Sequence, residues 1–139
     1  MLSLEQVQER VEHLAGQIGA PAGALPTFGR TADGGRPHLE CDGAYHFVVV
    51  ERGREFERRT TTELDQLLYW VFEAVTFEVA MAAARQHRAP GQGFRRRLFR
   101  RQIELMAGLD PSWGQRCKAS LAAILAKNPF TDWGPRGID

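Results

Sequence analysis

Apolar positions first recur at helical spacing. Val7, Val11, Leu14 and Ile18 form one stripe, the signature of a helix with one buried side. Ser3 followed by Gln6 is a capping box, and Gly19 is a stop, so the pattern predicts a helix over 3–18. Residues 20–36 are rich in Gly and Pro and read as a loop, with room for a short strand at 25–28. The period then changes to two. Residues 38–42 lead into Asp42-Gly43, a hairpin dipeptide. Residues 45–51 place Tyr45, Phe47 and Val49 on one face and His46, Val48 and Val50 on the other. Arg52-Gly53 makes a second turn, and 54–59 a third, more polar strand. This predicts a three-stranded antiparallel meander whose middle strand is at least partly covered on its second face.

Three helices are expected to follow. Fifteen of the eighteen residues from 67 to 84 are apolar or aromatic, so a helix starting near Thr62, with Asp65 in capping position, and ending near Gln86 should be surrounded on most sides. After a Pro/Gly break, 94–109 carries five arginines in seven residues beside a stripe of Phe94, Leu98, Leu105 and Leu109. Asp110-Pro111 is an N-cap and first-turn pair for a last helix ending at Lys127-Asn128-Pro129. The tail, 131–139, reads as irregular.

Composition narrows the class. A chain of 139 residues with 43% apolar and 25% charged residues fits one globular domain, 1–139. Net charge is only +1 although sixteen of the eighteen basic residues are Arg. The arginine cluster is therefore local, and a nucleic-acid partner is not expected. The first residues carry acids at 5, 9 and 12, unlike a signal peptide. Glu73 and Glu78 interrupt the apolar helix, and an acid near a bilayer centre costs roughly 3 kcal/mol. A core helix without a membrane, in a cytoplasmic protein, is the expectation.

Candidate chemistry is sparse. Cys41 and Cys117 form no CxxC or Cys/His spacing, so no metal site is expected. Whether the two cysteines pair is open. A Cys41–His46 nucleophile would need an imidazole beside the thiol, and the two fall on opposite faces of the hairpin if Cys41 shares the face of Tyr45. A structural cysteine and an exposed histidine are expected. Glu73 and Glu78 lie about 500° apart around the helix and do not form a carboxylate pair. Each is expected to meet an arginine of the next helix, with Arg95 and Arg96 the candidates, because a buried acid needs a cation. No phosphate-loop, dinucleotide, zincin or nucleophile-elbow motif occurs. Catalytic residues and cofactors are expected to be none.

Several segments together carry a resemblance. They are Val50-Glu51-Arg52-Gly53, Leu67-Leu68-Tyr69-Trp70-Val71-Phe72, Thr76-Phe77, Phe94-Arg95-Arg96, Phe99, Gln102-Ile103-Glu104-Leu105 and the ending Asn128-Pro129-Phe130-Thr131-Asp132. In this order, over about 45–132, they resemble immunity protein family 63 of bacterial polymorphic-toxin systems. The family pattern has an acidic or similar polar residue just before Phe-Arg-Arg, where this chain has Gly93. If that acid normally holds an arginine, the partner here must come from elsewhere.

The resemblance implies a protein that binds and neutralises a cognate toxin by occlusion, without chemistry. Its recurrent aromatic, Arg and Glu residues are expected to build the fold, and variable loops to meet the partner. The candidate partner-binding residues are Asp33, Asp42, Glu51, Arg52, Arg54, Glu55 and Trp133. The expected architecture is α+β, a small antiparallel β-meander packed against a layer of about four α-helices. The alternative is a nucleic-acid-associated or regulatory binding protein that uses the arginine-rich helix 94–109. The oligomeric state is open.

Overall fold

The computed structural model describes residues 1–86 and 93–128. Among these residues the architecture is α+β, with four α-helices and a four-stranded mixed sheet. The chain divides into two compact units, Met1–Phe72 and Glu73–Asp139.

In the first unit, α1 (Leu4–Gln17) starts at the expected capping box. The Gln6 amide donates to Ser3 Oγ at 3.2 Å and the Ser3 amide donates to Gln6 Oε1 at 2.9 Å. It ends at Gly19, whose φ of +65° lets the Ala20 amide return to the Ala15 carbonyl at 3.0 Å, a Schellman closure. Val7, Val11 and Ala15 are buried along one side, and α1 lies against the sheet strand Pro37–Cys41.

The sheet comprises β1 (Thr27–Phe28), β2 (Pro37–Cys41), β3 (Tyr45–Glu51) and β4 (Arg54–Thr61), in that spatial order. The three longer strands form the antiparallel meander that the period-two pattern predicts. Two-residue β1 adds a parallel edge to β2, continued by the Gly29 amide donating to the Leu39 carbonyl. β4 extends beyond 59 because its partners on β3 continue to Tyr45, opposite Thr61. Leu39, Tyr45 and Phe47 are buried, and so is Val48 on the other face of β3. The Leu2 amide donates to the Tyr45 hydroxyl at 2.8 Å, tying the N-terminus to the sheet.

Helix α2 (Leu64–Gln86) begins in the first unit and continues into the second. It is long and apolar enough to cross a membrane, yet half of its most apolar window is buried within the protein. Leu67, Leu68, Tyr69, Val71, Phe72, Val75 and Thr76 are all buried. Past Thr76 the helix is one-sided rather than surrounded. Ala80 and Ala84 face in, and Phe77, Glu78, Ala82 and Arg85 face out.

In the second unit, α3 (Phe94–Leu109) and α4 (Pro111–Lys127) form a tight helical hairpin. Asp110 caps α4, accepting from the Ser112 amide at 2.8 Å. Leu98, Phe99, Leu105, Met106, Trp113, Cys117 and Leu121 are buried. The corner depends on Gly114. A Cβ there would lie 2.6 Å from Ala107 Cβ and 2.8 Å from its Cα.

Candidate functional site

The β3–β4 turn contains two consecutive left-handed residues, Arg52 at φ +55° and Gly53 at φ +74°. This is the two-residue hairpin turn whose twist matches the flanking strands. The 31–36 loop is fastened to it through Asp33. One carboxylate oxygen of Asp33 accepts from the Gly34 amide at 2.8 Å, and the other accepts from the Gly53 amide at 3.2 Å. The Gly35 amide donates to the Val50 carbonyl at 2.9 Å. Asp33, Glu51, Arg52, Arg54 and Glu55 therefore gather at one end of the sheet. Asp42 does not join them. It sits in the β2–β3 turn, at the far end of seven-residue β3, roughly 20 Å away at a strand's rise per residue. Trp133 lies outside the described residues.

Three of the candidate residues are spoken for inside the fold. Asp33 staples loop to turn. Asp42 Oδ1 accepts from His46 Nε2 at 2.5 Å, with the Thr60 hydroxyl 2.8 Å from His46 Nδ1. His46 is thus half-buried and bonded on both ring nitrogens, not the exposed histidine expected from the sequence. Cys41 pairs in register with Tyr45, which places it on the opposite face from His46. Glu55 accepts two bonds from Arg58, at 2.8 and 3.1 Å. Glu51, Arg52 and Arg54 are exposed and make no side-chain hydrogen bond or ion pair among the described residues.

The Glu55–Arg58 contact is a consequence of a β-bulge. Residues three apart on an unbroken strand point to opposite faces. Here Val49 pairs with Glu57 but Val50 pairs with Glu55, so Phe56 is the extra residue in β4 and the parity of the strand resets across it. Glu55 and Arg58 then share a face. Arg58 also donates to both oxygens of Glu40 on β2, at 3.0 and 3.4 Å, and His38 Nε2 lies 2.7 Å from Glu40 Oε2. A polar row, His38–Glu40–Arg58–Glu55, crosses the sheet. Hydrogen bonding to Arg58, and then to His38, holds the Glu40 carboxyl below its ordinary value. The two glutamates push Arg58 the other way.

Strand β4 inverts the usual placement of apolar and charged groups. Arg59 turns inward, its guanidinium 4.5 Å from the Phe47 ring centroid and 5.2 Å from that of Trp70, within cation–π range. Phe56 is 67% exposed, more than any other large apolar side chain among the described residues. Sequence reasoning passed over Phe56. The available signal was a lone aromatic in the otherwise charged and polar run REFERRTT.

In the second unit two arginines of α3 serve helix ends, while Arg101 pairs with Glu104 at 3.6 Å. Arg97 donates to the Ala84 carbonyl near the end of α2, and Arg95 donates to the Asn128 carbonyl at the end of α4, at 3.5 and 3.3 Å. These are the orphan carbonyls of helix C-termini, where a cation also meets the negative end of the dipole. Arg95 stacks over Phe99 at 5.3 Å as well, and Arg96 and Arg100 are likewise engaged. The expected pairing of Glu73 and Glu78 with Arg95 and Arg96 is not formed among the described residues. Glu78 is exposed. Glu73 is half-buried, and its backbone carbonyl accepts from the buried Gln102 side chain at 2.9 Å. Gly93 is the N-cap of α3 and offers no side-chain cap. Cys41 and Cys117 are both free. Burial, and then the charge of Glu73, push the Cys117 thiol up to about 11.

Compared with known proteins, the profile of the family described as Immunity protein 63 matches residues 42–123, more than half of the chain. No curated protein and no solved structure matches it.

Proposed function

Because the chain belongs to the immunity protein 63 family, we propose that it is the cytoplasmic immunity protein of a polymorphic-toxin system, neutralising a cognate toxin domain by binding and occluding it. The family match is the observation that carries this reading. The protein acts as a binding surface and needs neither cofactor nor catalytic group. The end of the sheet around the β3–β4 turn is the surface offered to the toxin. Glu51, Arg52 and Arg54 project there without internal partners among the described residues, on a turn braced by Asp33. A rigid projecting turn loses little conformational entropy on binding, which favours tight association. Asp42, 20 Å or so away along β3, belongs to the same interface only if the toxin spans the sheet.

The helix-end role of Arg95 and Arg97 leaves little to support phosphate tracking by α3. Co-expression with the toxin domain encoded beside this gene tests the proposal. The chain should restore growth and co-purify with the toxin. Charge reversal at Arg52 and Arg54 together should weaken rescue while the thermal unfolding midpoint stays put. Absence of rescue and of binding against the neighbouring toxin domain would refute the immunity reading. Rescue unaffected by the charge reversal would instead move the interface elsewhere.

A further inference from the structure

We propose that Phe56 is the apolar anchor by which this protein seats on its toxin, held out from the sheet by the bulge that the Glu55–Arg58–Glu40 row clamps. The inference rests on the immunity reading and deepens it by naming the residue at the centre of the contact and the chemistry of the site it enters.

Three observations converge. First, the position is built. A bulge adds an unpaired residue to a strand and re-aims the side chains beside it. The added residue here is Phe56, and the side chains flanking the bulge are bound together across it by Arg58, at 2.8 Å to Glu55 and 3.0 Å to Glu40. Second, folding leaves the ring largely in water. Phe56 is 67% exposed, while the neighbouring inward place against Phe47 and Trp70 is taken by Arg59. A strand that lays a half-exposed cation over the aromatic rings of the core and leaves a phenyl ring in water departs from the usual binary pattern, and such departures concentrate at functional positions. Third, the edge is guarded against its own kind. β4 ends the sheet, and a bulge with charged neighbours is how an edge strand avoids pairing with a second copy. An aromatic kept on a guarded edge is suited to a side-chain pocket in a partner rather than to strand addition.

The surroundings define that pocket. Arg54 and Glu55 precede Phe56, Glu57 and Arg58 follow it, and all four are exposed. Two cations and two anions flank it along the strand, Glu55 bound to Arg58 at 2.8 Å and Glu57 to Arg59 at 3.2 Å. The complementary site is an apolar cleft with a rim of both charge signs, and not a uniformly basic or acidic surface. A desolvated aromatic inside a polar rim is the arrangement of an interface hot spot. With the rim neutral, long-range steering contributes little.

The experiment measures binding of the full chain to the toxin domain encoded beside it, by calorimetry, for wild type, Phe56→Ala and Phe56→Trp. Phe56→Ala should bind roughly 30-fold or more weakly, the loss typical of a hot spot, with an unchanged unfolding midpoint because the ring is exposed. Phe56→Trp should retain most of the affinity. Wild-type affinity should change little between low and physiological salt. Binding of Phe56→Ala within about threefold of wild type, below the hot-spot range, would overturn the proposal while leaving the immunity reading intact. Loss of wild-type self-association on Phe56→Ala, with toxin affinity retained, would overturn it in favour of a second copy of this chain. Failure of the wild type itself to bind the toxin would refute the immunity reading and this inference with it.

Discussion

Gly114→Ala sets two physical effects of opposite sign against each other. On propensity alone the substitution should help. Alanine in a helix interior is favoured over glycine by about 1 kcal/mol, partly because it loses less conformational freedom on folding. The geometry says otherwise. The new methyl would lie 2.6 Å from Ala107 Cβ, 2.8 Å from Ala107 Cα and 3.1 Å from its backbone nitrogen. Ordinary carbon–carbon contact is about 3.5–4.0 Å, so α3 and α4 must separate by about 1 Å at their corner. Two of the three contacts are backbone atoms, and no side chain can rotate away. That separation loosens the buried set around Met106, Trp113 and Cys117. Overpacking of this kind costs about 1–3 kcal/mol, occasionally more, and here the hairpin as a whole must yield. With backbone atoms in the way the upper part of that range applies, about 2–3 kcal/mol, which leaves a net destabilisation of about 1–2 kcal/mol after the propensity gain of about 1 kcal/mol. Urea unfolding followed by far-ultraviolet circular dichroism measures it, as a lower midpoint with an unchanged slope. If the variant is as stable as wild type or more so, the close approach of the two helices is not what holds this glycine in place.

Two further outcomes follow from the ionisation states. Glu40 has a folded pKa below its ordinary value of 4.5, so its contribution to stability is full above that value and is lost as pH falls through the lower folded one. Acid titration of wild type against Arg58→Met should show a shallower acid loss in the variant, and identical slopes would disprove the Glu40–Arg58 coupling. The Cys117 thiol, pushed up to about 11 by burial, should resist a thiol-specific disulfide reagent in the native protein. Half-buried Cys41, also raised but less enclosed, should react first, with Cys117 following only on unfolding. Equal native rates for the two would contradict the buried placement.

The sequence by itself determined the elements. The capping box at Ser3, the strand 45–51, the arginine helix 94–109 and the Asp110-Pro111 start all stand where local pattern puts them. Each rests on short-range causes, a side chain reaching a backbone amide three residues on or a periodicity repeated over a few turns. The candidate surface was half legible. Turn chemistry marked Arg52-Gly53 and Asp42-Gly43, and the strand between them set them at opposite ends, but nothing local showed that Asp33 would brace the first. Tertiary structure alone decided what the charged residues do. Glu55 reaches Arg58 because the ladder to β3 skips a residue at Phe56, and a register shift depends on two strands at once. Arg95 and Arg97 serve helix-end carbonyls rather than Glu73 and Glu78 because unpaired carbonyls occur only where helices stop in space. A charge pattern shows how many partners a chain must find. Which partner each finds depends on distances between residues far apart in sequence, and those exist only once the chain has folded.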